Sequence, residues 1–417
     1  MVRDPKVQFC SVVMAVAAIG AFALGTPLEA KPKGAQKPAS IFDAAKRKKA
    51  KHNLSDRLSY SAYGNVRFLS ERDIARDDGQ RDMREEVALS LGLVGRAQLS
   101  HSVAAFVHLE ASLKDKKTHA ASYGRIMDPR VKEALVAFSL SPTTTLSVGR
   151  LRFADAHKWV ADASVDGAHL SIASPNRVLE FAAFRGTEDI TSTYAMAHVG
   201  WSSVTARWGG IALAERDGDQ NRVHLSGYYS QRVSPTFSYQ VNVATVFGDA
   251  ANGENAGLGL DVRATKKLGD SPLNPQVTLA FAYGSNGFQQ SGVHSNKTYD
   301  GGQTQFHRYG SVFQPELTNL AVASVGLGIR PSRKLSADVI ASFYAQPQAS
   351  TVGPSARFVG STNGDARFLG SEISIVGAYR PSKKTKFELG VGRFEPGPAF
   401  VDQSSVTRVF SRFSVYF

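Results

Sequence analysis

The chain has 417 residues, 49 Lys plus Arg against 36 Asp plus Glu, and a formal net charge of +13. Hydrophobic residues make up 42% and charged residues 20%, with a single cysteine, which excludes a collagen-like, disulfide-stapled or wholly disordered chain. The length suits one large domain or two ordinary ones.

The N-terminus has the three-part layout of a secretory signal peptide. Met1 to Lys6 carries Arg3 and Lys6, Ser11 to Gly25 is apolar and uncharged, and Leu28-Glu29-Ala30 supplies a small-residue cleavage site. Residues 1–30 are therefore expected to be removed near Ala30, because the apolar core is shorter than the roughly 20 residues a spanning helix needs. Cys10 leaves with them, so the mature chain would have no thiol for a disulfide or a soft metal. Residues 31–53 form a basic tail, with eight bases and one acid between Lys31 and His52. That composition reads as a solvated, disordered arm; the alternative is an arm that touches a polyanion or a periplasmic partner.

Residues 54–417 show no helical period. They alternate instead, as half-buried strands do. Val87, Leu89, Leu91 and Leu93 alternate with Ala88, Ser90 and Gly92, and Val277, Leu279, Phe281 and Tyr283 alternate with Thr278 and Ala280. Bulk on one face and small or polar side chains on the other suit a lipid-facing barrel with a polar interior. About eighteen such segments follow one another, the first near Arg57, the fourth near Val131 and the last near Thr407; sixteen is the lower count. The expected fold is all-β, a transmembrane antiparallel β-barrel. The even-numbered connections are tight, and five carry a Ser/Pro pair, among them Ser141-Pro142 and Pro381-Ser382. The odd-numbered ones include the long segments Leu69 to Met83, Lys114 to Arg130, Phe153 to Ser164, Phe288 to Leu317 and Pro347 to Phe368. Short turns at one end and long loops at the other mark a Gram-negative outer-membrane barrel. The terminal strand ends on Phe417 after an alternating Val409, Phe413, Val415, which resembles the signal read by the outer-membrane assembly machinery.

Three stretches are similar to the alginate-export family of outer-membrane porins. They are Gly149-Arg150-Leu151-Arg152 followed by Asp155, Trp159, Asp162 and Asp166-Gly167; Phe306-His307-Arg308-Tyr309-Gly310 with Glu316-Leu317-Thr318-Asn319-Leu320; and Gly392-Arg393-Phe394-Glu395-Pro396-Gly397-Pro398-Ala399-Phe400. With strand order, the likeness extends over most of residues 57–417. It implies an eighteen-stranded barrel through which an anionic exopolysaccharide leaves the cell passively, with bases lining a constriction. No cofactor and no catalytic residue is implied. The alternatives are a general or small-anion porin and, from another class, a barrel enzyme, for which Trp159, Asp162 and Asp166 are the first place to look. Expected partners are anionic polysaccharide or small anions, outer-membrane lipid and lipopolysaccharide, and periplasmic export components, with no nucleic acid.

Strand parity places Arg57, Arg67, Arg84, Arg207, Arg222, Arg232, Arg263, Lys386, Arg408 and Arg412 toward the lumen. Opposing them are the acids Glu86, Glu110, Glu133, Asp261, Asp338, Glu372 and Glu388. Arginine suits a carboxylate pathway because its planar fork stays charged and binds bidentately. Arg150 and Arg152 fall by simple alternation on the lipid face with Leu146 and Val148, so either a bulge at Gly149 reverses them or they lie at the extracellular rim. Arg308 and Arg393 read as pore residues or as ion-pair partners of Glu316 and Glu395. His108, His198 and His224 read as isolated polar positions, and Gly257-Leu258-Gly259 as a place of close packing. The acid and arginine mixture of Glu71 to Asp82 reads as a self-neutralising hairpin tip. The long segment Phe288 to Leu317 is a candidate gate or pore occluder, or an ordinary mobile surface loop.

Overall fold

The computed structural model describes residues 52–75, 81–118, 122–187, 191–249, 256–298, 304–357 and 360–417. The expected signal peptide and nearly all of the basic tail lie outside these residues. The exceptions in the tail, His52 and Asn53, belong to a short strand, His52–Ser55, that pairs with residues 58–60.

Eighteen long strands follow. They are β1 Leu58–Ala75, β2 Arg81–Gln98, β3 Val103–Thr118, β4 Ser122–Ser139, β5 Thr144–Ala154, β6 Asp162–Ala173, β7 Arg177–Gly186, β8 Thr193–Ser202 and β9 Ala206–Asp217. The second half is β10 Gln220–Ser234, β11 Phe237–Gly248, β12 Ala256–Lys267, β13 Gln276–Gly284, β14 Leu320–Ser332, β15 Leu335–Ala345, β16 Phe368–Ser382, β17 Thr385–Pro396 and β18 Val406–Tyr416. Each pairs antiparallel with its neighbours in sequence. The sheet closes where β18 meets β1, with Tyr63 opposite Tyr416 and Arg72 opposite Thr407. Closure leaves no open edge, as hydrocarbon requires. No helix among the described residues is long and apolar enough to cross a membrane.

The polarity of this barrel is inverted relative to a soluble protein. Leu91, Leu279, Leu327, Ile373 and Leu389 point outward and are more than half exposed, while Glu86, Glu133, Glu215, Asp261 and Glu372 are buried inside. That is the arrangement a lipid-facing belt dictates. At the short-turn end the outward face carries rings: Trp201 stacks on Trp208 at 6.5 Å, Tyr229 on Tyr239 at 5.8 Å, and Phe387 meets Phe413 at 4.6 Å. Amphipathic rings at one level form an interfacial girdle.

Four of the five Ser/Pro turns have a common chemistry, while at the fifth the Ser174 hydroxyl donates to the Arg177 carbonyl at 3.2 Å. In the four, proline presets the backbone, and the serine hydroxyl accepts a backbone N–H two or three residues on, as Ser141 does from Thr144 (3.1 Å) and Ser234 from Phe237 (3.0 Å). At the other end two expected loops are strand instead. Lys114 to Arg130 is mostly ladder, with β3 running to Thr118 and β4 beginning at Ser122, nine residues before Val131. Lys114 and Asp128 meet at 2.5 Å across it. Charges on both faces read as loop, yet cross-strand pairs hold a hairpin that rises above the apolar belt. Leu69 to Met83 behaves alike, since β1 runs to Ala75 and β2 starts at Arg81.

Candidate functional site

Among the described residues, two long-end connections turn into the barrel instead of away from it: residues 155–161 between β5 and β6, and residues 285–298 with 304–319 between β13 and β14. In the shorter one, the Asp155 carboxylate accepts backbone N–H groups from His157, Val160 and Ala161 at 2.7–2.9 Å, which closes a tight turn. The longer one is apolar along its inner course, with Phe288, Val293, Tyr309, Val312, Phe313 and Leu317 buried. Its described residues therefore pack inside the barrel and do not form a surface loop. Gly257 and Gly259 on β12 provide its seat: the Phe288 ring lies over Gly259 and the backbone at Phe288 lies over Gly257, where no β-carbon would fit.

The two connections are fused. The Trp159 indole N–H donates to Tyr309 at 2.6 Å and its ring stacks on Phe288 at 6.1 Å. Gln290 and Asn296 exchange both amide bonds, at 2.8 and 2.9 Å, and Gln290 also donates to the Trp159 carbonyl. Three wall residues then fix the assembly. Glu372 on β16 accepts backbone N–H groups of Ser311, Val312 and Phe313 at 2.5–3.1 Å. Asp261 on β12 pairs with Arg308 at 2.6 Å, and Arg408 on β18 donates to the Ser311 carbonyl. The plug is therefore held by hydrogen bonds as well as by packing.

Beside this plug lies an opening of about 420 Å³ whose lining includes Lys158, Arg232, Arg263, Lys297 and Arg308. Among the described residues no Asp or Glu lines it. Arg308 is tied to Asp261, and Lys158 reaches Asp162 at 3.3 Å. Burial lowers the pKa of Lys297, the nearby cations Arg152 and Lys158 add to that, and Asp162 works against them. Below it, toward the short turns, a recess of about 1040 Å³ is lined by Arg232, Lys267, Arg330 and Arg333 together with serines and threonines, again without a described carboxylate side chain. The two spaces share Arg232, Ser238 and Thr265. A cationic path therefore runs along β10 to β15 from the turn end to the plug. In a narrow aqueous pore such a lining lowers the energy of an anion and raises that of a cation.

Of the residues the sequence nominates for the pore, Arg232, Arg263 and Arg308 line the opening. Arg67 and Arg84 share Glu86, Lys386 and Arg412 share Glu388, Arg408 joins Arg357 on Glu71, and Arg222 bonds Glu215 (3.3 Å) and Gln289 (2.6 Å). Arg207 faces the buried Tyr228, and Arg57 lies exposed in the turn before β1. The bulge expected at Gly149 is absent: the ladder runs straight through it, with Leu135 and Gly167 opposite, although its φ is +127°. Arg150 and Arg152 consequently stay on the face of Leu146 and Val148, bound to Asp166 (2.8 Å, bidentate) and Asp162. Arg393 shares the outward face of Leu389 and Val391 and pairs with Glu395 at 2.5 Å. Arg308 meets Asp261, not Glu316.

The histidines are not isolated either. Glu180, fully buried, sits between His198 (2.7 Å) and His169 (3.1 Å), His224 bonds Glu215 at 3.0 Å, and His108 bonds Tyr63 at 2.9 Å. Trp159 and Asp162 are occupied in holding the loops together, through Tyr309 and through Ser295 (2.8 Å). Sequence reasoning missed Lys158 and Lys297, which lie on loops where strand parity gives no signal, and Lys267, Arg330 and Arg333 at strand ends.

A family model described as alginate export matches residues 189–412. No curated protein matches the chain by sequence. Among solved structures, the barrel is similar to OccAB1 of Acinetobacter baumannii (11% identity, TM-score 0.61, covering 89% of this chain and 99% of that one). It is likewise similar to Pseudomonas aeruginosa OccK5 (9%, 0.60, 88% and 100%) and OprD (12%, 0.57, 90% and 97%). At these identities the likeness is one of fold.

Proposed function

The chain belongs to the alginate export family, and from that premise we propose that it is an outer-membrane channel for the passive export of an anionic exopolysaccharide of the polyuronate kind. The observation that carries this reading is the opening beside the plug, with five bases and no described carboxylate side chain in its lining. Carboxylates entering it exchange hydration for charge-assisted hydrogen bonds. The bases are several and partly engaged by Asp261 and Asp162, so each holds a carboxylate weakly enough for the next one to displace it. Passage needs no chemistry on the polymer.

A small-anion porin is the second reading, favoured by the pairing of most other interior bases with Glu71, Glu86, Glu215 and Glu388. Single-channel conductance of the refolded chain in a planar bilayer separates the two. Anion-selective reversal potentials in a KCl gradient with block by dilute polyuronate, and none by a neutral polysaccharide of equal length, are expected for the exporter. Anion selectivity without polyuronate block would replace it by the porin.

A further inference from the structure

We propose that the recess at the short-turn end is a capture site for the incoming polyanion, separate from the constriction and filled before it. This rests on the reading of the channel as a polyanion pathway. Short turns face the periplasm in barrels of this type, so the recess is the first part of the lumen an exported chain meets. It is built only from wall and turn residues, whereas the opening above it is completed by Lys158, Lys297 and Arg308 from the plug. Its charge is one-sided, with Arg232, Lys267, Arg330 and Arg333 in the lining and no described Asp or Glu side chain. Arg330 is held there by Asp338 at 2.6 Å, and its other contacts to the Ala337 and Ile329 carbonyls fix it as a rigid post.

The recess is also placed to hand its contents on. Lys267, Thr265 and Arg263 point into the lumen from alternate positions of β12, roughly 7 Å apart at two residues' rise. Lys267 lines the recess, Thr265 both spaces and Arg263 the opening. Arg232 lies two strands away on the same row as Thr265, through Ser238. A segment with several carboxylates therefore bridges the two sites, and binding at the first raises the local concentration of charge at the second. The small volume above and the larger volume below form a funnel, about 420 Å³ against about 1040 Å³.

The test is block of single oriented channels by oligouronate added to one side at a time, comparing the wild-type chain with Lys267→Gln/Arg333→Gln. The double variant is expected to slow the onset of block from the short-turn side about tenfold, within the range of electrostatic steering. Block from the long-loop side stays as in wild type, because the opening is intact. Lys267→Arg/Arg333→Lys, which keeps both charges, restores the onset rate and shows that charge, not folding, is read. Unchanged onset, or equal slowing from both sides, overturns the capture site while leaving the channel reading in place. A wild-type channel that oligouronate blocks from neither side overturns both.

Discussion

Asp261 and Arg308 meet at 2.6 Å with both side chains 1% exposed, and the bond ties β12 to a loop residue 47 positions further along the chain. Removing one partner of a buried pair strands the other charge, at about 3–5 kcal/mol. Asp261→Asn is therefore expected to loosen the plug without unfolding the barrel: heat-modifiable migration stays, and the single conductance level spreads into several. Asp261→Asn/Arg308→Met removes both charges and is expected to recover a single level. Equal behaviour of the two variants would separate the plug from this ion pair.

The selectivity of the opening follows from charges the plug and wall leave turned to the lumen. A unit charge about 7 Å from a permeating ion in water contributes ~0.6 kcal/mol, close to threefold in partition. The same charge disfavours a cation by as much, so Arg232→Gln and Lys297→Gln should each lower the anion-to-cation permeability ratio about sevenfold, and together about fiftyfold. Arg412→Gln, whose charge already serves Glu388 at 3.7 Å, should change it less. Reversal potentials in a tenfold KCl gradient give all four ratios.

How far the sequence carries depends on where a residue sits. Leu89, Leu91 and Leu93 announce their outward face because a strand repeats every two residues, and Glu372 and Asp261 announce the inward one. Even Arg150 obeys that rule once Gly149 is granted no bulge. Lys158 and Lys297 escape it, since a loop has no parity. The His198 and Glu180 pair needs the register of β7 on β8, which places the two opposite each other and which no single strand encodes. The partner of Glu372 is harder still to find: it is backbone N–H from the loop, without a side-chain signature.

Glu372 is the anchor of residues 311–313, and Tyr344 and Ser374 also donate to it, at 3.3 and 2.6 Å. Glu372→Ala leaves three buried N–H groups without an acceptor, a loss of about 1–3 kcal/mol for each. A larger conductance and faster amide exchange at 311–313 are expected, with β16 itself still protected. Glu372→Gln keeps one acceptor oxygen and should fall between. Wild-type conductance in both variants would show that the segment is held by its packing alone.

Acid should loosen the same loop. Burial holds the pKa of His307 well below the usual histidine value, reinforced by His294, Arg308, Arg408 and Lys297 around it. The backbone N–H of Tyr309 donates to its Nδ1 at 3.3 Å, which needs that nitrogen unprotonated. The seated loop thus binds fewer protons than the released one between the depressed pKa and about 6.5. Its stability is complete above about pH 6.5 and declines as the pH falls below that value. Open-channel noise should rise between pH 7 and pH 5 in the wild type, and His307→Gln should flatten that rise.

The seat on β12 gives the sharpest steric test. A β-carbon at Gly257 would overlap the backbone nitrogen of Phe288, and one at Gly259 would overlap only the Phe288 ring. A ring can turn about its side-chain torsions, whereas the backbone can yield only by moving the loop. Gly257→Ala is therefore expected to displace the plug and enlarge the conductance, with Gly259→Ala nearer the wild type. Neither substitution opposes the strand itself, where alanine is at least as well tolerated as glycine, so the barrel should fold in both. The reverse order, with Gly259→Ala the more disruptive, would mean that the Phe288 ring and its stack on Trp159 hold the plug more firmly than the backbone contact does.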